Sequence, residues 1–228
     1  MRYRTSRVLA GPFLRVLWRP EVTGLEHIPP SGGAILASNH LSIVDSIFLP
    51  FMISRPVTFA AKSEYFTGTR LLGRATSAYL RATGQLPVDR AGARAAQDML
   101  DSALGLLRDG ALFGIYPEGT RSPDGRLYRG RTGVGWLALN ARVPVIPVAM
   151  VGTDRVLPPG HRVPRFSKIR IRIGEPLTFD HIERTGAVQR RIVTDQVTKA
   201  IQALSGQEYV HQYASVRKDE IAAAARPA

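Results

Sequence analysis

The sequence predicts a single-domain layered α/β fold, with a central mixed sheet flanked by helices and an N-terminal amphipathic helical segment. Short apolar runs of strand length alternate with longer segments of helical periodicity, the pattern that builds α/β layers. The chain has 228 residues, enough for one sizeable core, and nothing in its middle has the length of a linker. No internal repeat or low-complexity tract interrupts it. Residues 1–20 are expected to form a basic membrane-contacting segment, residues 21–205 the main domain and residues 206–228 a C-terminal helical tail.

In the N-terminal segment, Arg2, Arg4, Arg7, Arg15 and Arg19 surround Val8, Leu9, Phe13, Leu14, Val16, Leu17 and Trp18. On a helical wheel Leu9, Phe13, Val16 and Leu17 fall within an arc of roughly 100°. Such a face suits a helix lying among lipid headgroups, where each basic residue near an anionic leaflet adds about 1 kcal/mol. The same face would equally let the helix pack on the domain's own core. Gly11-Pro12 predicts a kink. Arg15 and Arg19 break the apolar stretch and no small-residue cleavage site follows, so a signal peptide is not expected. No uncharged apolar run reaches about 18 residues, so no transmembrane helix is expected and the protein is placed peripherally, on the cytoplasmic face of a membrane.

The remaining elements follow from period and punctuation. Ala34 to Ser38, Val57 to Ala61, Gln85 to Val88, Ala111 to Tyr116 and Val145 to Val151 are short apolar runs bounded by turn residues, and read as strands. Asp45 to Ile53, Phe66 to Leu80, Ala91 to Arg108 and Gly133 to Asn140 read as the intervening helical segments. Ile169 to Ile173 alternates apolar residues with arginine, which predicts an edge strand. Val188 to Leu204 and Val216 to Ala225 read as C-terminal helices. Pro144 and Pro147 each remove a backbone donor, so they are expected to shape the entry and exit of a strand rather than its centre.

Two loops carry chemistry. Asn39-His40-Leu41-Ser42-Ile43-Val44-Asp45 lies in a strand-to-helix turn and sets an imidazole near a carboxylate. Imidazole accepts a proton near neutrality, and a carboxylate on one ring nitrogen fixes the tautomer and leaves the other nitrogen as a base. On an ideal helix the five-residue spacing would put the two roughly 140° apart, so the pairing requires a bend. A loop histidine followed by a helix-capping aspartate would give the same letters. The second loop, Pro117-Glu118-Gly119-Thr120-Arg121-Ser122, follows a strand. Arg121 offers a planar fork for an oxyanion, Gly119 lets backbone approach closely, and Thr120 and Ser122 supply hydroxyls. A polar turn with Glu118 and Arg121 ion-paired is the plainer alternative for that loop taken alone.

These blocks resemble the glycerolipid acyltransferases, in particular the 1-acylglycerol-3-phosphate (lysophosphatidate) acyltransferases. His40 to Asp45 matches the family's His-x-x-x-x-Asp, and Gly84 to Arg90 is similar to its second block, which ends in a phosphate-associated arginine. Tyr116 to Ser122 is similar to the third, usually opened by phenylalanine, and Val143 to Val148 to the proline-containing fourth. The resemblance runs from about Val22 to Ile173. It implies that His40, oriented by Asp45, deprotonates the acceptor hydroxyl, which attacks an acyl thioester of coenzyme A or acyl carrier protein to make phosphatidate. It also implies that Arg121 meets the acceptor's phosphate, with Glu118, Gly119 and Thr120 shaping the acceptor loop and Arg90 and Lys62 as further substrate-binding candidates. Lys62 follows a strand-like run and would emerge near the other loops; an ordinary solvated lysine reads the same way. Arg131, where the family often has lysine, is left outside the core site. The acceptor could also be another lysolipid or carry its free hydroxyl at sn-1, and a non-catalytic basic peripheral membrane protein is the rival class.

Composition agrees. There is no cysteine, which excludes disulfides and thiolate metal sites, and no Gly-x-Ser-x-Gly elbow to supply a serine nucleophile. The five histidines show no ligand spacing, and there is neither a Lys-bearing phosphate loop nor a dinucleotide glycine fingerprint, so no metal or other cofactor is expected. A formal net charge of +13 calls for anionic partners: a lysophospholipid, the acyl donor and an anionic membrane surface. Nucleic acid is disfavoured, because the aromatic residues, 7% of the chain, do not interleave with the basic ones as a stacking platform requires.

Overall fold

The computed structural model describes residues 11–68, 71–88, 92–158, 161, 163–183 and 185–224. In chain order its elements are helix α1 (residues 11–18), β1 (Glu21–Thr23), β2 (Ala34–Ser38), α2 (Asp45–Met52), β3 (Val57–Lys62), α3 (Leu71–Ala82), β4 (Leu86–Val88), α4 (Gly92–Arg108), β5 (Leu112–Ile115), β6 (Leu127–Tyr128), α5 (Gly133–Ala141), β7 (Val145–Val151), α6 (Thr153–Val156), β8 (Arg170–Ile173), α7 (Ala187–Ser205), β9 (Tyr209–Val210) and α8 (Ala214–Ala224). Seven strands form one sheet in the order β1-β8-β7-β2-β5-β3-β4. Every pairing in it is parallel except β7 with β8, so the sheet is mixed, as the sequence predicts.

β2 is the central strand. It pairs Leu36 with Gly114 of β5 on one side and with Ile146 of β7 on the other, and all five of its residues are buried. Alternation sends Ala34 and Leu36 to one face, against Phe48, Leu49 and Met52 of α2. Ile35 and Ala37 go to the other, against Ala103 and Leu107 of α4, Leu137 of α5 and Val193 and Val197 of α7. A strand apolar on both faces is what a helix layer on each side demands. Because β2, β5, β3 and β4 run parallel, the segments after them all leave at one edge of the sheet, the edge where open α/β folds place their sites.

Three expectations need correction. The helical segments expected over Phe66 to Leu80 have other bounds, a 3-10 turn at Ser63–Phe66 and α3 at Leu71–Ala82. β8 is not an edge strand. It lies between β7 and the three-residue β1, which the sequence reading missed, and its outward Arg170 pairs with Glu21 while Arg172 donates to the Leu204 carbonyl. Pro147 lies inside β7, a central strand. Its carbonyl accepts the Gly174 N–H, so the missing donor faces the β8 side, where ladder pairing begins only at Val148 opposite Ile173. Of the two bonds that the Pro147–Gly174 pair could exchange, only the one to the proline carbonyl is made, at the end of the β7–β8 ladder.

Residues 11–18 are helical, and the segment before the kink expected at Gly11-Pro12 lies outside the described residues. Arg2, Arg4, Arg7, Val8 and Leu9 lie outside the described residues. One side of α1 packs on the domain: Leu14 and Trp18 join the core, Trp18 meets Phe48 edge-on at 5.7 Å and donates its indole N–H to the Arg165 carbonyl at 3.0 Å. The other side is open, with Phe13 61% and Val16 68% exposed. At the C-terminus β9 pairs with β6, and α8 is carried back over the segment that follows β5. No helix among the described residues is long and apolar enough to cross a membrane.

Candidate active site

His40 stands just beyond the end of β2, and Asp45 opens α2. The bend between them is closed by the aspartate itself. Asp45 Oδ2 accepts the imidazole Nδ1–H at 2.9 Å and the Leu41 and Ser42 N–H groups at 2.8 Å each. The carboxylate therefore faces back onto the loop, not forward as a helix cap. Asp45 is fully buried; the converging donors satisfy Oδ2, while Oδ1 has no hydrogen-bond partner among the described residues. With Nδ1–H committed to the carboxylate, Nε2 is left as the acceptor nitrogen, and the imidazole keeps 16% of its side-chain surface exposed.

Tyr116 holds the ring, and Asn39 and the second loop hold the backbone that carries it. Tyr116 stacks on it at 3.8 Å with 10° between the planes, and its hydroxyl hydrogen-bonds Ser46 at 2.9 Å. Burial raises the Tyr116 phenol well above its ordinary value, with nearby Asp45 adding to the rise, so it stays neutral. Asn39 ties the end of β2 to β7: its amide oxygen accepts the Met150 N–H at 2.7 Å and its NH₂ donates to the Met150 carbonyl and to Gln207. The backbone of His40 is held by the second loop, since its carbonyl accepts the Ser122 N–H at 2.7 Å and its N–H donates to Glu118 Oε2 at 3.2 Å.

Glu118 is thus not an exposed member of the acceptor loop. It is 2% exposed, and its other oxygen accepts the Tyr128 N–H at 2.9 Å, so it staples the His40 turn to β6. Burial pushes its carboxyl up to about 7, against the two backbone donors that favour the ionised form. The alternative Glu118–Arg121 ion pair does not form. Gly119 turns the chain at φ 73°, a left-handed conformation that glycine adopts freely, and the Arg131 side chain lies close against it. Arg121 is exposed and, among the described residues, makes no ion pair. The Thr120 hydroxyl accepts a hydrogen bond from Lys218 of α8.

A cavity of about 500 Å³ opens against this edge, lined by His40, Phe59, Met99, Gly114, Tyr116 and Arg131 among others. Arg131 therefore belongs beside the site, contrary to expectation. A second cavity of about 740 Å³ shares Val88, Ala95 and Met99 with the first and is lined by Lys62 and Arg94. Lys62 does sit at the end of β3, but in this neighbouring cavity and within 3.7 Å of Glu64 rather than against His40. Arg90 lies outside the described residues. Tyr116, Asn39, Gln207 and Lys218 were not singled out from sequence. Asn39, adjacent to His40, and Tyr116, which opens the third block, lay close enough in the chain to be suspected.

Fold and site together define an α/β protein with a carboxylate-oriented histidine at the edge of its sheet, beside a largely apolar cavity and exposed cations. The family model described as Acyltransferase matches residues 19–151, and the chain belongs to that family. It is 30% identical over 174 residues to a chloroplastic 1-acyl-sn-glycerol-3-phosphate acyltransferase of Brassica napus, covering 75% of this chain and 49% of the relative. With the corresponding chloroplastic protein of Arabidopsis thaliana it shares 31% identity over 168 residues, 73% of this chain and 44% of the relative. The chain thus spans about half the length of these curated relatives. The crystal structure of the 1-acyl-sn-glycerophosphate (LPA) acyltransferase from Thermotoga maritima superposes with a TM-score of 0.65 at 25% identity, covering 88% of this chain and 82% of that one.

Proposed function

We propose that the protein transfers an acyl group from a thioester, of coenzyme A or acyl carrier protein, to the free hydroxyl of 1-acylglycerol 3-phosphate at a membrane surface. The observation that carries this reading is the His40–Asp45 pair at 2.9 Å, with its Nε2 unengaged beside an apolar cavity and Arg121 exposed in the adjoining loop. The names of the relatives in Brassica, Arabidopsis and Thermotoga support the choice of acceptor.

In this mechanism His40 Nε2 takes the hydroxyl proton as the oxygen attacks the thioester carbonyl. Asp45 stabilises the resulting imidazolium, the carbonyl π bond opens to an oxyanion, and its collapse breaks the C–S bond. The imidazolium then returns its proton to the departing thiolate. No acyl-enzyme forms and no cofactor takes part. General-base assistance supplies about 100- to 10,000-fold, with positioning contributing the rest. The apolar lining around Phe59 and Met99 takes the acyl chain, and Arg121 takes the acceptor's phosphate as a two-pronged donor. The open side of α1, Phe13 and Val16, rests on the membrane together with Phe166, which is 76% exposed and leans on Trp18 at 5.6 Å.

Release of free thiol from an acyl-coenzyme A, with and without lysophosphatidate, tests the reading. Acceptor-dependent release is expected. Arg121→Ala should raise the KM for lysophosphatidate more than that for a monoacylglycerol. Release that ignores the acceptor would indicate hydrolysis instead of transfer, and equal losses on both acceptors would remove Arg121 from the phosphate.

A further inference from the structure

Lys218 comes to the site from a part of the chain far from the His40 and Arg121 loops and beyond the residues that the family model covers. Its ammonium donates to the Thr120 hydroxyl, the residue next to Arg121. Lys218 is half-buried, and burial lowers its basicity, with the neighbouring Arg121 guanidinium lowering it further and Glu118 opposing. Among the described residues neither cation is in an ion pair. The nearby carboxylate, Glu118, is buried and already accepts two backbone N–H groups. Two cations set side by side without a counter-charge repel, and an anion between them removes that cost.

The placement of Lys218 is fixed by the fold. Leu127 N–H donates to the Glu208 carbonyl and Arg129 N–H to the Gln212 carbonyl, extending the β6–β9 pairing. Gln207 bridges the Asn39 amide and the Gly125 carbonyl, so the same C-terminal stretch touches the residue beside His40. The Arg131 guanidinium lies 5.3 Å over the Tyr213 ring and donates to Ser215 at 3.1 Å. Ser215 and Lys218 are three residues apart on α8 and so share the helix face turned to the site.

We propose that Lys218 is a substrate-binding residue, supplied by the C-terminal helix, which together with Arg121 clamps the phosphomonoester of the acceptor. The proposal rests on the acceptor assigned above. A phosphate dianion has oxygens enough for the Arg121 fork and an ammonium at once, and the lysine is held by Thr120, the residue next to Arg121. Phosphate also occurs on coenzyme A, so the test must separate acceptor from donor.

Steady-state kinetics of wild type, Lys218→Met, Lys218→Arg and Lys199→Met decide it, using lysophosphatidate and monoacylglycerol as acceptors and acyl-coenzyme A and an acyl-pantetheine as donors. Lys199 is an exposed lysine on α7, so its variant reports the loss of a positive charge as such. The expected result is a rise of about tenfold in the KM ratio of lysophosphatidate to monoacylglycerol for Lys218→Met, largely restored in Lys218→Arg and absent in Lys199→Met. An unchanged ratio, or the same change in Lys199→Met, overturns the proposal. A shift confined to the KM of acyl-coenzyme A, and missing with acyl-pantetheine, assigns Lys218 to the donor's phosphates and overturns it too. If wild type transfers to neither acceptor, the assigned function fails and the proposal falls with it; if wild type uses lysophosphatidate while the Lys218→Met ratio holds steady, only the proposal falls. Thermal melts identify misfolding of Lys218→Met, in which case Lys218→Gln is read by the same ratio.

Discussion

Replacing Glu118 by glutamine should change how stability depends on pH. Burial moves the Glu118 carboxyl from an ordinary 4.5 to about 7, so the folded protein keeps a proton that the unfolded chain releases. The unfolded state then binds fewer protons between pH 4.5 and 7, and stability must fall as pH rises through that window and level off above it. A displacement from 4.5 to about 7 corresponds to on the order of 3 kcal/mol. Glutamine cannot ionise, so this slope disappears. It also has one acceptor oxygen where Glu118 offers one to His40 N–H and another to Tyr128 N–H, and its NH₂ group must face one of those donors. Leaving a buried donor unmet costs about 1–3 kcal/mol. Glu118→Gln should therefore be the less stable protein at pH 5 and match or exceed wild type at pH 8. Urea unfolding of both proteins at pH 5, 6, 7 and 8 measures the difference directly. Parallel stability profiles would refute the argument that burial of this carboxyl dominates its environment.

Asp45→Asn leaves the volume unchanged but removes the charge that receives His40 Nδ1–H and two backbone N–H groups, so kcat should fall on the order of 1,000- to 10,000-fold with a smaller change in KM; near-wild-type turnover would contradict the pairing. At Gly114 an added Cβ would lie 2.3 Å from the Phe59 ring, and that ring stacks at 5.2 Å on Tyr116, which in turn stacks on His40. Gly114→Ala should accordingly move Phe59, lower the melting temperature by several degrees and shift preference among acyl-coenzyme A chain lengths, whereas an unaltered chain-length profile would detach this cavity from the acyl group. The pair Phe13→Ser and Phe166→Ser should weaken co-sedimentation with anionic vesicles by about tenfold or more, because both side chains are largely exposed, and unchanged binding would place the membrane contact elsewhere.

The parts legible in the sequence were those governed by near neighbours. β2, β5 and β7 are short apolar runs with punctuation at both ends, and His40 and Asp45 flank one strand-to-helix bend, so residue type and that bend brought them into consideration. β1, β6 and β9 were missed because two or three residues carry no period, and each exists through a partner far along the chain, as Leu127 does through Tyr209. β8 looked like an edge because Arg170 and Arg172 alternate with isoleucine, a pattern that a Glu21 partner and the Leu204 carbonyl satisfy equally well. Glu118 was read as a loop residue since nothing local shows that its side chain turns inward to two backbone donors. Lys218 is invisible for the same reason, as its contact with Thr120 spans 98 residues. On α1 Phe13 and Val16 are exposed while Leu14 and Trp18 pack on the core, and Leu9 of the predicted apolar arc lies outside the described residues.

The central claim is that His40 activates the acceptor's hydroxyl, and single-turnover acyl transfer by wild type and His40→Ala tests it most directly. Purified protein is mixed with acyl-coenzyme A and lysophosphatidate, and phosphatidate and free thiol are followed together. The account predicts equal amounts of both from wild type, loss of both in His40→Ala, and unchanged melting and vesicle binding in the variant. Transfer that persists in His40→Ala at a comparable rate would contradict it.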